Sequence, residues 1–193
     1  MPSLRVEALL NDAENGLALE LIAGASGLGR RVTAPRIQKP GLALTGYTQH
    51  VHAERVQVLG LTEVSYLGTL EEEARRRGIV GLVGLEPACI VVTRGLEVPQ
   101  ILIDEANRHG VPVMRSPLMS SVFINRITKY LEDELAPQTS LHGVLLDVLG
   151  VGILLLGKSG IGKMLAPPTP GSSRSAARSS QPIRTAARAF PTR

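Results

Sequence analysis

Apolar residues along the first 135 positions form short β-branched runs that alternate with longer stretches of helical spacing. The runs predict strands at residues 17–23, 42–47, 56–59, 88–93 and 111–114. The longer stretches predict helices at residues 6–10, 62–77, 98–109 and 120–135. Thr62 is the expected cap of the second helix, Ser120 or Ser121 that of the fourth, and Gly110 the stop of the third. The alternation favours an amino-terminal α/β domain with a mainly parallel sheet.

A second module is predicted after Pro137, which ends the last helix. Residues 136–139 are an expected linker, and residues 140–163 begin the new module with strands at 142–148 and 152–156 joined through Gly150. The second strand leads directly into Gly-Lys-Ser-Gly-Ile-Gly-Lys, residues 157–163. The pattern is that of a phosphate-binding loop, G-x-x-x-x-G-K-[S/T], at its usual place after a strand.

The loop predicts nucleotide binding, with one departure. Its backbone N–H groups would hold the phosphates, and Lys163 would reach the β- and γ-phosphates. The predicted phosphate-binding residues are Gly157, Lys158, Ser159, Gly160, Ile161, Gly162 and Lys163. The next position calls for a Ser or Thr that binds Mg²⁺, but it is Met164, whose thioether is a poor ligand for a hard cation. No metal ligand is therefore predicted in the chain.

Composition changes at the same residue. Residues 164–193 contain six Ala, five Ser, five Pro and five Arg, and no Asp, Glu or Lys. Such a segment is expected to be disordered, because it has too little apolar surface to offset chain entropy. Either it is a natural basic linker or it is the product of a shifted reading frame. The coincidence with the broken motif favours the frameshift and hence a truncated kinase domain.

The excess of basic over acidic residues comes from the tail alone. The chain has 21 basic and 17 acidic residues, a net charge of +4, but five of the basic residues lie in residues 164–193. Residues 1–163 thus carry 16 basic and 17 acidic residues, so the basic balance does not predict a nucleic-acid partner. The longest apolar run, residues 144–156, is too short to span a membrane, and no signal peptide opens the chain, so a cytoplasmic protein is expected.

Few other residues suggest chemistry. The single cysteine, Cys89, lies in an apolar run and is expected to be a small buried hydrophobic residue. His50, His52 and His109 lack metal-ligand spacing and are interpreted as surface residues. His142 begins the strand before the loop, and its role is open between a catalytic group and a strand-end histidine bound to backbone.

The lead-in to the loop resembles the start of the catalytic domain of bacterial HPr kinase/phosphorylase. The resemblance rests on Leu-His-Gly-Val-Leu-Leu-Asp-Val at residues 141–148, Gly-Val-Gly-Ile-Leu-Leu-Leu at 150–156 and the loop itself. Residues 39–47, 53–60, 62–64 and 123–126 are similar to the amino-terminal domain of the same family.

The resemblance implies an enzyme that uses ATP and Mg²⁺ to phosphorylate a serine of the phosphocarrier HPr. It also implies removal of that phosphate by phosphorolysis, regulation of carbon metabolism, and a homohexamer. By matching position, His142 and Lys163 are the implied catalytic residues. Met164 occupies the position where the family has its metal-binding serine. The paired aspartates that follow the loop in the family are absent, so this chain is expected to be catalytically incomplete.

Two other interpretations remain open. Residues 1–135 could act alone as a non-catalytic ligand-sensing or interaction domain. An unrelated phosphate-loop NTPase is the third interpretation, and the His-Gly-Val lead-in disfavours it.

Overall fold

The computed structural model describes residues 2–137 and the backbone of two further strands, 143–148 and 151–156. The chain divides into two compact units, Met1–Ala136 and Pro137–Arg193. The first unit contains five helices and six of the strands. The helices are α1 (Val6–Leu10), α2 (Leu61–Thr69), α3 (Glu72–Val83), α4 (Gln100–His109) and α5 (Ser120–Glu134). The strands are β1 (Leu4–Arg5), β2 (Glu20–Ala23), β3 (Arg31–Val32), β4 (Val56–Leu59), β5 (Cys89–Val92) and β6 (Val113–Arg115).

The main sheet of the first unit is mixed, in the order β2-β6-β5-β4. Strands β4, β5 and β6 are parallel, and β2 pairs antiparallel with β6 at one edge. The predicted α/β class with a mainly parallel sheet is therefore confirmed. Strands β1 and β3 form a separate two-stranded antiparallel ladder, in which Leu4 faces Val32.

Alternate residues of the parallel strands supply two hydrophobic clusters. Ile90 and Val92 of β5 point to one cluster, which also contains buried residues of α2, α3 and α4. Cys89 and Val91 point to the other, which contains buried residues of α1 and α5. Because successive strand residues face opposite sides, a strand covered on both faces is apolar throughout, as β5 is.

Helix α5 shows how spacing selects the buried face. Phe123, Ile127 and Leu131 recur every four residues, and all three are buried in the same cluster. The helix begins at Ser120 with Met119 as its N-cap, so neither Ser120 nor Ser121 is the cap. Gly110 ends α4 in the left-handed conformation, at φ +58°, as predicted.

The prediction of one helix over residues 62–77 was wrong. The segment forms α2 and α3, with extended backbone at Leu70 and Glu71 between them. Arg75 stabilises the break, because its Nε donates to the carbonyl oxygen of Leu67 (2.8 Å) and its Nη2 to that of Leu70 (2.9 Å). The N-cap of α2 is Gly60 and not Thr62.

One predicted strand was also wrong, and another begins later than predicted. The predicted strand at 42–47 is a 3-10 turn, Ala43–Thr45, in which buried Ala43 and Leu44 anchor the segment. The predicted strand at 17–23 begins only at Glu20, because Ala18 has a left-handed backbone with φ +49°.

Within the second unit, the structure describes a β-hairpin. Strands β7 (Gly143–Val148) and β8 (Val151–Leu156) pair antiparallel, with Gly143 opposite Leu156 and Val148 opposite Val151. The register leaves two residues between the strands, the length of a common hairpin connection. The predicted tail at 164–193 lies outside the described residues.

No helix in the part of the chain that the structure describes is long and apolar enough to cross a membrane.

We expect Gly78→Ala to destabilise the first unit, because a Cβ at residue 78 would lie 2.4 Å from the carbonyl oxygen of Leu44. Relieving such an overlap costs about 1–3 kcal/mol. Gly81→Ala is the matched control in α3, since its Cβ would meet nothing within 4 Å. The control should raise the free energy of unfolding by about 0.5–1 kcal/mol. Urea unfolding of both variants measures the difference, and equal stabilities would contradict the close approach.

Candidate functional site

The phosphate loop predicted from the sequence follows β8 directly. His142, the loop residues 157–163 and Met164 all lie outside the described residues, so their geometry stays a prediction. What the structure describes is the hairpin that carries them. Its register places Gly143 opposite Leu156, which are the chain neighbours of His142 and Gly157 respectively.

A polar cluster lies in the first unit, where β4 ends and α2 begins. Glu63 is its centre, with a side chain only 7% exposed. The N–H group of Gly60 donates to Glu63 Oε2 at 2.9 Å, and Lys39 Nζ lies 3.2 Å from Glu63 Oε1. A carboxylate at the first turn of a helix satisfies a free N–H group and interacts favourably with the helix dipole. Glu63 thus fixes both the start of α2 and the position of Lys39.

Hydroxyl groups join the ends of β4 and β5 to the start of α5. Buried Thr93, which follows β5, donates from Oγ1 to the carbonyl oxygen of Leu59 at 3.2 Å. Its Oγ1 is also 2.7 Å from Ser120 Oγ. Because Thr93 has one hydroxyl proton and gives it to Leu59, Ser120 is the donor in the second bond. Gly60 lies against this pair, since a Cβ there would be 2.8 Å from Ser120 Oγ.

This arrangement positions backbone and does not activate a nucleophile. Both oxygens of Glu63 are engaged, by Gly60 and Lys39. A catalytic serine or threonine needs a general base within hydrogen-bond reach. The partners of the Thr93 and Ser120 hydroxyls within residues 2–137 are one backbone carbonyl and each other. Carboxyl ends of parallel strands are nevertheless where ligands bind in open α/β sheets.

Sequence reasoning did not single out Lys39, Glu63, Thr93 or Ser120 for chemistry. One signal was available for Glu63, because Gly60 and a glutamate three residues later have the spacing of a helix start. Thr93 was also visible as the first polar residue after a buried strand. The Lys39–Glu63 pair spans 24 positions, and no local pattern predicts it.

The histidines of the first unit lie at its surface or are partly buried. His52 Nδ1 is 3.5 Å from Glu54 Oε1, and both side chains are exposed. His109 Nε2 is 3.9 Å from Oε2 of Glu105, a buried carboxylate that Arg108 binds at 2.6 and 2.7 Å. Within the described residues, no group of three or more His, Cys, Asp or Glu side chains could hold a metal ion.

Cys89 is buried in the cluster beneath α5, as predicted. Burial raises the pKa of its thiol from 9.0 to about 12, because the thiolate would lose its hydration. The thiol is therefore not a nucleophile in the folded protein.

Two family models match the chain. The model described as HPr serine kinase N terminus matches residues 4–131, and that described as HPr serine kinase C-terminal domain matches residues 133–166. The second match includes the hairpin and the predicted loop. Together they account for the chain up to the position where its composition changes.

Curated relatives carry the same family name. The HPr kinase/phosphorylase of Geobacter sulfurreducens is 55% identical over 161 residues, which are 83% of this chain and 50% of the relative. Those of Brevibacillus brevis and Bacillus subtilis are each 43% identical, over 75% of this chain and 47% of the relative. The chain thus spans about half the length of the curated relatives it matches.

A solved structure of the CBS and DRTGG domains from the regulatory region of Clostridium perfringens pyrophosphatase, complexed with diadenosine tetraphosphate, is 13% identical to this chain. It has a TM-score of 0.43 and covers 64% of this chain and 48% of that one. A likeness at this level supports no inference about function.

The buried thiol predicts how stability depends on pH. A group whose pKa is higher in the folded state contributes its full stability below its unfolded pKa and loses it as pH rises toward the folded value. For Cys89 that window runs from about pH 9 to about 12. At pH 10.5 the loss should be about 2 kcal/mol relative to pH 8. Urea unfolding at the two pH values measures it.

Cys89→Ala is the control, because other groups also titrate above pH 9. The variant should lose less stability than the parent between pH 8 and 10.5. The same loss in both proteins would show that the thiol is not protected from ionisation. Thiol labelling gives an independent check, since Cys89 should react only through unfolding.

Proposed function

The chain belongs to the HPr serine kinase family, and we propose that residues 157–163 bind the phosphates of ATP for transfer to a serine of the phosphocarrier HPr. In the same proposal the site removes that phosphate with inorganic phosphate as acceptor. The loop sequence supports phosphate binding, because three glycines allow backbone N–H groups to approach an anion closely. Lys163 would neutralise charge on the β- and γ-phosphates during transfer.

The register of the β7–β8 hairpin is the observation that carries the proposal. Consecutive Cα atoms are about 3.8 Å apart, so a residue adjacent to a paired position stays close to that pair. His142 precedes Gly143, and Gly157 follows its partner Leu156. The register therefore supports a role for His142 beside the phosphate loop. We assign His142 and Lys163 as the catalytic residues on this basis together with the family resemblance.

Magnesium does not fit the residues that this chain offers. The position after Lys163 is Met164, and residues 164–193 contain no aspartate or glutamate. Mg²⁺ takes oxygen ligands in octahedral geometry, and a thioether sulfur does not replace one.

The missing carboxylates limit what residues 1–193 can do. Transfer to a hydroxyl needs a base or a positioning carboxylate for the acceptor, and none follows the loop here. The chain also lacks helix-forming sequence after the loop, because Pro167, Pro168 and Pro170 follow closely. We propose that residues 1–193 neither phosphorylate HPr nor form the homohexamer that the family resemblance implies.

A second function is compatible with the first unit alone. Residues 2–136 have their own sheet and two hydrophobic clusters, so a ligand-sensing role does not require the phosphate loop. The cavity described below is the specific observation that favours it.

We expect Mg²⁺-ATP to leave the melting temperature of a protein of residues 1–193 unchanged. A ligand that binds only the folded state stabilises it by mass action, so millimolar ATP would raise the temperature if the loop bound it tightly. Differential scanning fluorimetry measures the shift. The full-length Geobacter sulfurreducens relative is the positive control. A rise of several degrees for residues 1–193 would overturn the assignment of an incomplete site.

The reading frame provides a second test. Sequencing the gene across codons 155–175 and translating all three frames should show a frame in which Gly-Lys continues with Ser, a helix and paired aspartates. Such a frame would assign the full kinase activity to the gene product. A confirmed frame with a stop codon directly after Arg193 would instead restrict function to the first unit.

A further inference from the structure

The segment from residue 38 to residue 51 lines a partly open cavity of about 140 Å³ on the first unit. All its lining residues come from this one segment. The apolar part of the lining includes Leu42, Ala43 and Val51, and the polar part includes Lys39, Tyr47 and His50. An apolar surface with a few polar groups at one side is typical of small-molecule sites.

Contacts with three elements anchor the segment that lines the cavity. The Gln38 N–H donates to Val56 O at 2.9 Å, and Val58 N–H donates to Gln38 O at 2.8 Å, which ties one end of the segment to β4. On the side of α3, the carbonyl oxygen of Leu44 packs against Gly78. The Lys39–Glu63 pair makes the third contact, with α2.

Side-chain bonds close the segment on itself. Gln38 Nε2 donates to the carbonyl oxygen of His50 at 2.6 Å, and its Oε1 accepts from the N–H of His52 at 3.1 Å. The two ends of the cavity wall are thus joined by one amide. A site fixed in this way is already ordered in the ligand-free protein, which lowers the entropic cost of binding.

The charge of the lining selects the ligand. No carboxylate lines the cavity, and its one cation is Lys39, whose side chain is 43% exposed. A lysine ammonium has three donors, and the contact with Glu63 uses one of them. The Lys39 side chain is 43% exposed whereas that of Glu63 is 7% exposed, so Lys39 stays accessible to a ligand. Since Glu63 already compensates part of the Lys39 charge, the site suits a monoanion better than a phosphate dianion.

The volume of the cavity suits a small monoanion. An engineered apolar cavity of about 150 Å³ in another protein holds benzene, which has six heavy atoms. Tyr47 and His50, whose rings lie 5.8 Å apart, provide aromatic surface beside the opening. Leu42 is 69% exposed and Tyr47 47% exposed, so both are accessible to a ligand.

From these observations we propose that the cavity of residues 38–51 binds a small organic monocarboxylate of about six heavy atoms. Lys39 binds the carboxylate, and the apolar lining contacts the hydrocarbon part. Glu63 is a positioning residue, because it holds the ammonium group of Lys39 and does not line the cavity. The site is independent of the phosphate loop, so its failure would leave the proposed kinase function untouched.

Butyrate and its neutral isostere butyramide test the proposal on the full chain at constant ionic strength. Butyrate should shift the amide resonances of residues 38–51 in ¹⁵N-correlated spectra, with a millimolar dissociation constant. Butyramide should bind at least about tenfold more weakly, because it lacks the charge that Lys39 recognises. Inorganic phosphate should not displace butyrate. Equal binding of butyrate and butyramide, displacement by phosphate, or no shift at 50 mM butyrate would each overturn the proposal.

Variants assign the binding to Lys39. Lys39→Met should weaken butyrate binding at least about tenfold, and Glu63→Gln should weaken it less. Lys129→Met removes an exposed lysine of α5 and is the matched control, with an expected dissociation constant equal to that of the parent. Unchanged binding by a folded Lys39→Met protein would exclude the site. If that variant does not fold, the comparison of butyrate with butyramide on the parent protein still decides the question.

Discussion

Strand β5 is buried on both faces and lies between two parallel neighbours, and this constraint places the other elements of the first unit. A strand of that kind needs apolar cover on two sides, since each of its residues faces one of the two hydrophobic clusters. Helices α2, α3 and α4 cover one face and α1 and α5 the other. The carboxyl ends of β4 and β5 consequently meet at one edge. That edge is where Glu63, Thr93 and Ser120 form their hydrogen bonds.

Burial at this edge explains why polar residues there are so fully paired. An unpaired carboxylate in a buried position carries a large desolvation cost, which hydrogen bonds and a nearby cation offset. Glu63 receives one of each, from Gly60 and Lys39. The pairing also orders the segment that begins at Lys39, because a lysine fixed by a buried partner has few other positions. The start of α2 thereby positions one lining residue of a cavity made by a different segment.

The sequence predicted the parts of this fold that depend on local periodicity. Strands β4 and β5 follow from short runs that are largely or wholly apolar, and helices α4 and α5 from apolar residues spaced three or four apart. The split between α2 and α3 does not, because Arg75 stabilises it by binding carbonyl oxygens that lie five and eight residues earlier. Helix propensity favours continuation there, and tertiary packing of Leu70 overrides it. Likewise, residues 42–47 have the composition of a strand but turn because Leu44 packs against Gly78 of α3.

The candidate site residues also divide into those that a local sequence pattern predicts and those that only the tertiary fold brings together. Glycine spacing in a phosphate loop is a local pattern, so the sequence alone indicates residues 157–163 and also shows that Met164 cannot supply an oxygen ligand. Lys39 and Glu63 carry no such pattern, because their proximity arises only when β4 and α2 have formed. A binding loop that relies on N–H groups draws further affinity from the dipole of the helix that follows it. Residues 164–170 contain three prolines and give no basis for that helix, so the glycines and Lys163 alone would have to hold the phosphates. The cavity of the first unit does not depend on a helix in residues 164–193, since every contact that shapes it is made within residues 38–78.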